Sequence, residues 1–226
     1  MKNWKTTVIG QKFAASFSGG KDSTLALYKA MKDGTAVALI SMLRKEDGLA
    51  GAHGVSVRIL NAQAKSMGLP LITYSTDWES YGSNLIKAIH EAKDLGAQVL
   101  VTGDIDLPEH NCWNENITKQ AGVSLSVPLW QMDRHKAVEE FLSFGFVSKI
   151  VAVNPSMGMK ESDLGRILSR ELIEELNDRG IDCCGESGEF HTIVLDGPNF
   201  QFPIKVKEGT IHTIGKNLCL PLEVIE

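Results

Sequence analysis

The sequence predicts an α/β protein: a parallel sheet covered by helices, joined to a smaller mixed α+β part. Three observations carry this prediction. Over the first two-thirds, short apolar runs alternate with longer amphipathic ones, the rhythm of strand–helix–strand units. A glycine pair, Gly19-Gly20, separates the first apolar run from the first helical one. Beyond about Leu125 the alternation breaks, and the spacing of apolar residues becomes mixed.

The elements follow in order. Lys12–Phe17 reads as a strand and Ser23–Lys32 as a helix. Ala36–Met42 is a continuous apolar run, as expected of a strand buried on both faces. Val55, Ile59, Ala62 and Met67 recur at helical spacing, and Gly68 stops that helix. Pro70 marks the start of a strand over Leu69–Tyr74. A helix over Leu85–Leu95 ends at Gly96, and Gln98–Thr102 is the fourth strand, followed by Gly103-Asp104. In the second part, Asp133 is placed to cap a helix over Arg134–Phe144. Val147–Val153 is a strand, Leu164–Leu176 a helix ended before Gly180, and His191–Leu195 a strand. Pro203–Val206 and Thr210–Ile214 read as a hairpin around Glu208-Gly209. The expected division is 1–126 and 127–226, near Ser126-Val127-Pro128.

Composition limits the function. The 226 residues are long enough for a sizeable core. A net charge of −5 disfavours a nucleic-acid binder that coats phosphates with Lys and Arg. No apolar run approaches the roughly 18 residues of a membrane span, and Met1–Gly10 has no signal-peptide core. Four cysteines, at 112, 183, 184 and 219, form no Cys-x-x-Cys pair, which fits reduced thiols and a cytoplasmic protein.

The sharpest chemical signal is Ser18-Gly19-Gly20-Lys21-Asp22-Ser23. Glycines let a backbone approach a ligand closely. A helix start offers N–H groups and the positive end of its dipole to an anion. Ser18 and Ser23 add hydroxyls, and Lys21 a point charge. The segment is neither Gly-x-x-x-x-Gly-Lys-[Ser/Thr] nor Gly-x-Gly-x-x-Gly. The plain alternative is a tight strand–helix turn capped by Asp22 or Ser23.

A second cluster, Gly185-Glu186-Ser187-Gly188-Glu189-Phe190-His191-Thr192, leads to Asp196-Gly197-Pro198, a turn after a strand. Glu186, Glu189 and Asp196, if buried together, would need a cation to join them. The alternative is a solvated acidic loop with a packed His191.

Ser18–Ser23 resembles the SGGxDS pyrophosphate loop of the PP-loop ATP pyrophosphatases. The later cluster is similar to the C-terminal signature of the diphthine–ammonia ligase branch, matching at Gly185, Glu186, Gly188, Glu189, Phe190, Thr192, Asp196, Pro198 and Phe200. His53, Gly103-Asp104, Pro128-Leu129-Trp130, Gly145-Phe146 and Leu164-Gly165-Arg166 agree as well, so the likeness runs over roughly residues 11–206. It implies a nucleotide α-hydrolase-like, Rossmann-like sheet, with Ala38–Met42 on the adenine side. It also implies a reaction in which ATP adenylates a carboxylate, ammonia displaces AMP, and pyrophosphate is released.

On this resemblance Ser18, Gly19, Gly20, Lys21, Asp22 and Ser23 bind the ATP phosphates. Lys21 and Asp22 serve catalysis, and Asp22 helps hold Mg²⁺. Gly103 and Asp104 lie beside the nucleotide. Glu186 and Glu189 face the acceptor, a carboxylate on a small molecule or a modified protein side chain. No glutaminase is present, so ammonia comes from solution or a partner. A homodimer is the commonest assembly for such enzymes. One departure stands out: relatives carry an Arg in the helix after the fourth strand, where this chain has Asn111–Asn116, with Asn116 at the matching place. Two alternatives follow, a non-catalytic ATP-binding sensor and a PP-loop thiolase that uses the cysteines.

Overall fold

The structure is a computed structural model and describes residues 3–51 and 54–225; His53 lies outside the described residues. The chain forms two compact units: residues 1–18, 22–51 and 68–132, and residues 19–21, 52–67 and 133–226.

The first unit is built on parallel strands β1 (Lys12–Ser16), β2 (Thr35–Arg44), β5 (Leu71–Thr76), β6 (Val99–Val101) and β7 (Ser124–Ser126), in the order β5-β2-β1-β6-β7. Short β3 (Leu49–Ala50) runs antiparallel to the end of β2. Helices α1 (Lys21–Met31), α3 (Tyr81–Asp94) and α4 (Pro108–Ala121) connect the strands. The strands are buried in continuous runs, Phe13–Ala15, Ala38–Ser41 and Val99–Val101, and the helices bury one stripe against them. Ala14, Ala38, Ile40, Ile72 and Leu100 from the sheet pack with Leu85, Ala88, Ile89 and Ala92 of α3 and Ile117 and Ala121 of α4. Trp4 meets Trp130 edge-on, ring centroids 4.9 Å apart, beside Leu125 and Val127. Strand order reverses at β1, whose neighbours β2 and β6 are reached in opposite directions. In open α/β sheets ligands bind beyond the carboxyl end of such a strand, and Ser18–Ser23 leaves β1 there.

The second unit carries a four-stranded antiparallel sheet, β11-β12-β8-β9, and a separate pair, β10-β13. The strands are β8 (Val147–Val153), β9 (Phe190–Asp196), β10 (Val206–Glu208), β11 (His212–Ile214), β12 (Asn217–Cys219) and β13 (Leu222–Val224). Its helices are α2 (Val57–Met67), which follows the short β4 (Val55–Ser56), then α5 (Arg134–Ser143) and α6 (Arg170–Asp178). As expected, Asp133 caps α5, accepting the Lys136 N–H at 2.9 Å.

Two expectations fail. The helix expected over Leu164–Leu176 begins only at Arg170, capped by Ser169. Leu164-Gly165 instead forms a turn and Arg166–Leu168 runs beside β8, with Gly165 N–H bonded to Ile150 O and Leu168 N–H to Ser148 O, each at 2.9 Å. Gly165 is left-handed (φ +79°), and a sheet edge claimed its neighbours before helical spacing could. Nor is there a hairpin around Glu208-Gly209. β10 pairs with β13 and β11 with β12, so the tight turn is Gly215-Lys216. The pairing is set by strands later in the chain, which local turn chemistry does not reveal.

Candidate functional site

At the carboxyl end of β1, Phe17 N–H bonds Ile40 O at 2.8 Å, and Ser41 Oγ donates to Phe17 O. The chain then turns through Ser18–Gly20 into α1. Ser18 N–H donates to Ser23 Oγ at 3.3 Å, and the two hydroxyls lie 3.1 Å apart, drawing the loop's ends together. Asp22 stands half-buried in the first turn of α1, where an acid complements the helix dipole. Gly103, just past β6, lies against that turn: a Cβ there would sit 2.8 Å from Ser23 N and 2.9 Å from Asp22 C. Gly103 and the first turn of α1 are thus brought together, and only glycine fits.

Asp104 is engaged on its own side. It accepts from Asn114 Nδ2 at 3.1 Å and lies 3.3 Å from His110 Nδ1. Burial, with the Asp104 charge adding to it, pushes the Tyr81 hydroxyl above its ordinary pKa. Tyr81 in turn meets the Trp113 ring at 5.7 Å. On α4, Asn116 is exposed, Asn111 is buried, and Asn114 is half-buried with its amide on Asp104. Asn111 is 0% exposed and neither of its amide atoms has a partner among the described residues. From sequence, Asn111–Asn116 stands out only for the missing Arg, and His110, Asn111 and Asn114 receive no role. Their helical spacing to buried Ile117, Thr118 and Ala121 was the available signal.

The loop tip is held within the second unit. Gly19 is left-handed (φ +78°), and its carbonyl accepts the Val194 N–H and Gln63 Nε2, each at 2.9 Å. Lys21 N–H donates to Thr192 Oγ1 at 3.2 Å. The Lys21 side chain is buried (5% exposed), where an ammonium acts in low dielectric. Gln63 and Thr192 were not singled out from sequence as loop partners; a lone glutamine on the apolar stripe of α2 was the clue.

The acidic signature folds as successive turns. Cys184 N–H bonds Asp182 Oδ1 at 2.9 Å, and Gly188 N–H bonds Gly185 O at 3.1 Å. Gly185 has φ +69°, and a Cβ there would meet Phe190 O at 2.8 Å. Glu186 is half-buried. Glu189 is 6% exposed, and its Oε2 accepts the Ser187 N–H at 3.0 Å. Asp196 does not join them: the seven-residue β9 carries it roughly 20 Å along the strand from Glu189. Cys183 is buried, and burial with the nearby Asp182 pushes its thiol pKa up, against the opposing pull of Lys21. None of the four cysteines is in a disulfide, and Cys112 is exposed. Arg166 is held by Glu175 and Asp163, so its guanidinium serves an ion-pair network. No helix among the described residues is long and apolar enough to cross a membrane.

Comparison with known proteins places both parts of the chain. Residues 11–125 match the diphthamide synthase N-terminal domain and residues 133–220 the diphthamide synthase C-terminal domain. A diphthine–ammonia ligase of Schizosaccharomyces pombe is 27% identical over 91% of this chain, which spans only 38% of that protein. The bovine and human diphthine–ammonia ligases are 23% and 25% identical, with 93% and 89% of this chain and 88% and 86% of theirs aligned. A solved Methanocaldococcus jannaschii structure, described as a predicted subunit of tRNA methyltransferase, aligns at 16% identity with a TM-score of 0.45 over 83% of this chain and 97% of that one. With a strand–loop–helix cradle and both domain models matched in order, the chain belongs to the diphthamide synthase family.

Proposed function

We propose that this chain is an ATP-dependent ligase that joins ammonia to a carboxylate and releases AMP and pyrophosphate. The observation that carries the reading is the Ser18–Ser23 cradle at the strand-order reversal, with Gly103 packed against its helical turn. Its left-handed Gly19, its helix start and its buried ammonium suit a polyphosphate. The family's curated members, named diphthine–ammonia ligases, supply the reaction class.

The roles follow from electrostatics. A carboxylate oxygen of the acceptor attacks the α-phosphorus, and the bond to pyrophosphate breaks. Ammonia then adds to the activated carbonyl carbon, and AMP leaves. Lys21 and the α1 N-terminus stabilise the charge that gathers on the leaving pyrophosphate. Ser18, Gly19, Gly20, Asp22 and Ser23 shape the cradle. Mg²⁺, when bound, spreads phosphate charge, and Asp22 offers it the hard oxygen ligand it favours. Glu186 is the carboxylate we assign to the acceptor or ammonium. Glu189 supports it by holding the Ser187 turn. Asp104, oriented by Asn114 and His110, lines the nucleotide end of β6. The acceptor is a carboxylate on a modified protein side chain or a small molecule. A cytoplasmic location fits four cysteines without a disulfide, and a homodimer is the assembly expected on general grounds.

A sensor that binds ATP without turnover is the second reading, favoured by neutral Asn111, buried, and Asn114, half-buried, on α4. Thiolation by Cys183 is disfavoured, since a buried thiol with raised pKa is a poor nucleophile. The test is incubation with ATP, Mg²⁺, ammonium and a panel of carboxylates, on small molecules and on modified protein side chains. AMP and pyrophosphate are expected. ADP and phosphate would defeat the ligase reading, and tight ATP binding without cleavage across the panel would favour the sensor. Lys21→Ala should weaken ATP binding at least tenfold, about 1.4 kcal/mol, read by calorimetry.

A further inference from the structure

We propose that Gln63 is a positioning residue for the phosphate loop: its amide ties the Gly19 carbonyl to β9 and so sets the direction of the loop's N–H groups. This rests on the phosphate-binding reading above. Gln63 is 0% exposed, on the same stripe of α2 as buried Ile59, Leu60, Ala64 and Met67. Its Nε2 donates to Gly19 O at 2.9 Å and to Val194 O at 2.7 Å, using both amide hydrogens. Val194 N–H donates to the same Gly19 oxygen at 2.9 Å. That carbonyl therefore has two donors on it, one from α2 and one from β9.

A trans peptide is a rigid plane whose C=O and N–H point in opposite directions. Fixing the Gly19 carbonyl toward β9 fixes the Gly20 N–H away from it. The Lys21 N–H is drawn aside by Thr192 Oγ1 at 3.2 Å, so consecutive amides of the loop are oriented by one strand. The arrangement is a poor choice for stability alone. Gln63 Oε1 is buried without a partner among the described residues, packed against Gly19 at the place a Cβ would take, 2.5 Å away. A methionine would fill the same space with no amide to bury; Gly19 O would keep its Val194 donor, and Val194 O would lose the one from Gln63. A buried amide with one end unsatisfied is retained for what its donors hold in place.

The test is calorimetric titration of the whole chain with pyrophosphate, ATP and adenosine. Gln63→Met should lose about tenfold or more in affinity for pyrophosphate and ATP while adenosine binding stays within about threefold. Thr192→Val should shift pyrophosphate affinity in the same direction by a smaller factor. Gln63→Glu gives a readout that packing alone would not. Ionised, the introduced carboxylate faces two carbonyl oxygens. Protonated, it donates to one of them. Burial raises its pKa, so the ratio of variant to wild-type pyrophosphate affinity should climb as pH falls from about 8 to 6.

Unchanged pyrophosphate affinity in folded Gln63→Met overturns the proposal, as does an equal loss for all three ligands. If Gln63→Met does not fold by circular dichroism, a flat pH ratio for Gln63→Glu, or wild-type affinity in Thr192→Val, overturns it. Wild-type protein that fails to bind pyrophosphate removes the phosphate-loop reading and this proposal with it. Absence of AMP-forming turnover, with the binding pattern intact, removes only the ligase reading.

Discussion

Replacing Gly19 by alanine adds one methyl group at the tightest point of the Ser18–Ser23 loop. The new Cβ would lie 2.5 Å from Gln63 Oε1 and 2.9 Å from Leu60 Cδ2, both on wholly buried side chains. Overpacking of this kind costs about 1–3 kcal/mol. The backbone angle of +78° adds left-handed strain of about 1–2 kcal/mol for a residue with a Cβ. The total is roughly 2–5 kcal/mol, a large share of a domain's usual margin. Gly180 supplies the control in the same unit. It has φ +70° and nothing within 4 Å of its would-be Cβ, so Gly180→Ala feels the strain and no clash. Urea denaturation should place the Gly19→Ala midpoint about 1 M below that of Gly180→Ala. Equal midpoints would refute the claim that Gln63 and Leu60 close the space beside Gly19.

Gly103→Ala should destabilise by about 1–3 kcal/mol and weaken ATP binding, because its Cβ meets backbone at Ser23 and Asp22 that cannot swing aside. Denaturation and calorimetry on the same sample check both effects. Asp163 is 1% exposed. Burial would raise its carboxyl, yet hydrogen bonds from Arg179 and the Lys160 N–H, with the Arg179 charge, outweigh it and hold the pKa below the ordinary value. Its contribution is complete above about pH 4 and is lost as acid protonates the folded state, so Asp163→Asn should flatten the acid limb of a stability–pH curve. Arg179→Met, which leaves Arg166 as the remaining cation, should cost about 3 kcal/mol at neutral pH by denaturation. Asp77, bonded by the Ser80 hydroxyl and N–H, should titrate at about 2 by NMR, and Ser80→Ala should return it toward the usual carboxylate range.

The parts legible in sequence were those that local chemistry decides. β1, α1, β2, β6 and β8 fall where apolar runs and glycines put them, and the Asp133 cap is a one-residue signal with a one-turn consequence. The Ser18–Ser23 turn was readable as a strand-to-helix junction because its glycines and serines act within six residues of each other. What escaped depends on distant chain. Leu164–Leu168 has helical spacing but serves a sheet edge, since β8 offers backbone partners the helix would not. The C-terminal strands pair by long-range register. Gln63 looks like a stray polar residue on an apolar stripe until Gly19 and Val194 appear beside it. Glu189 and Asp196 carry like charges close in sequence, and a strand between them sends one away.

The bond from Lys21 N–H to Thr192 Oγ1 joins residues 171 apart in the chain. The Gln63–Val194 bond spans 131. During synthesis the loop's own residues emerge early, and its anchoring strand follows roughly 9–34 s later at ordinary translation rates. Local helix formation in α1 takes about a microsecond. For that interval the segment Ser18–Ser23 exists without the carbonyl and amide partners that orient it. The proposed nucleotide site is thus among the last features a nascent chain completes. A fragment ending before β9 should bind ATP more weakly than the whole chain, however well its parallel sheet has formed.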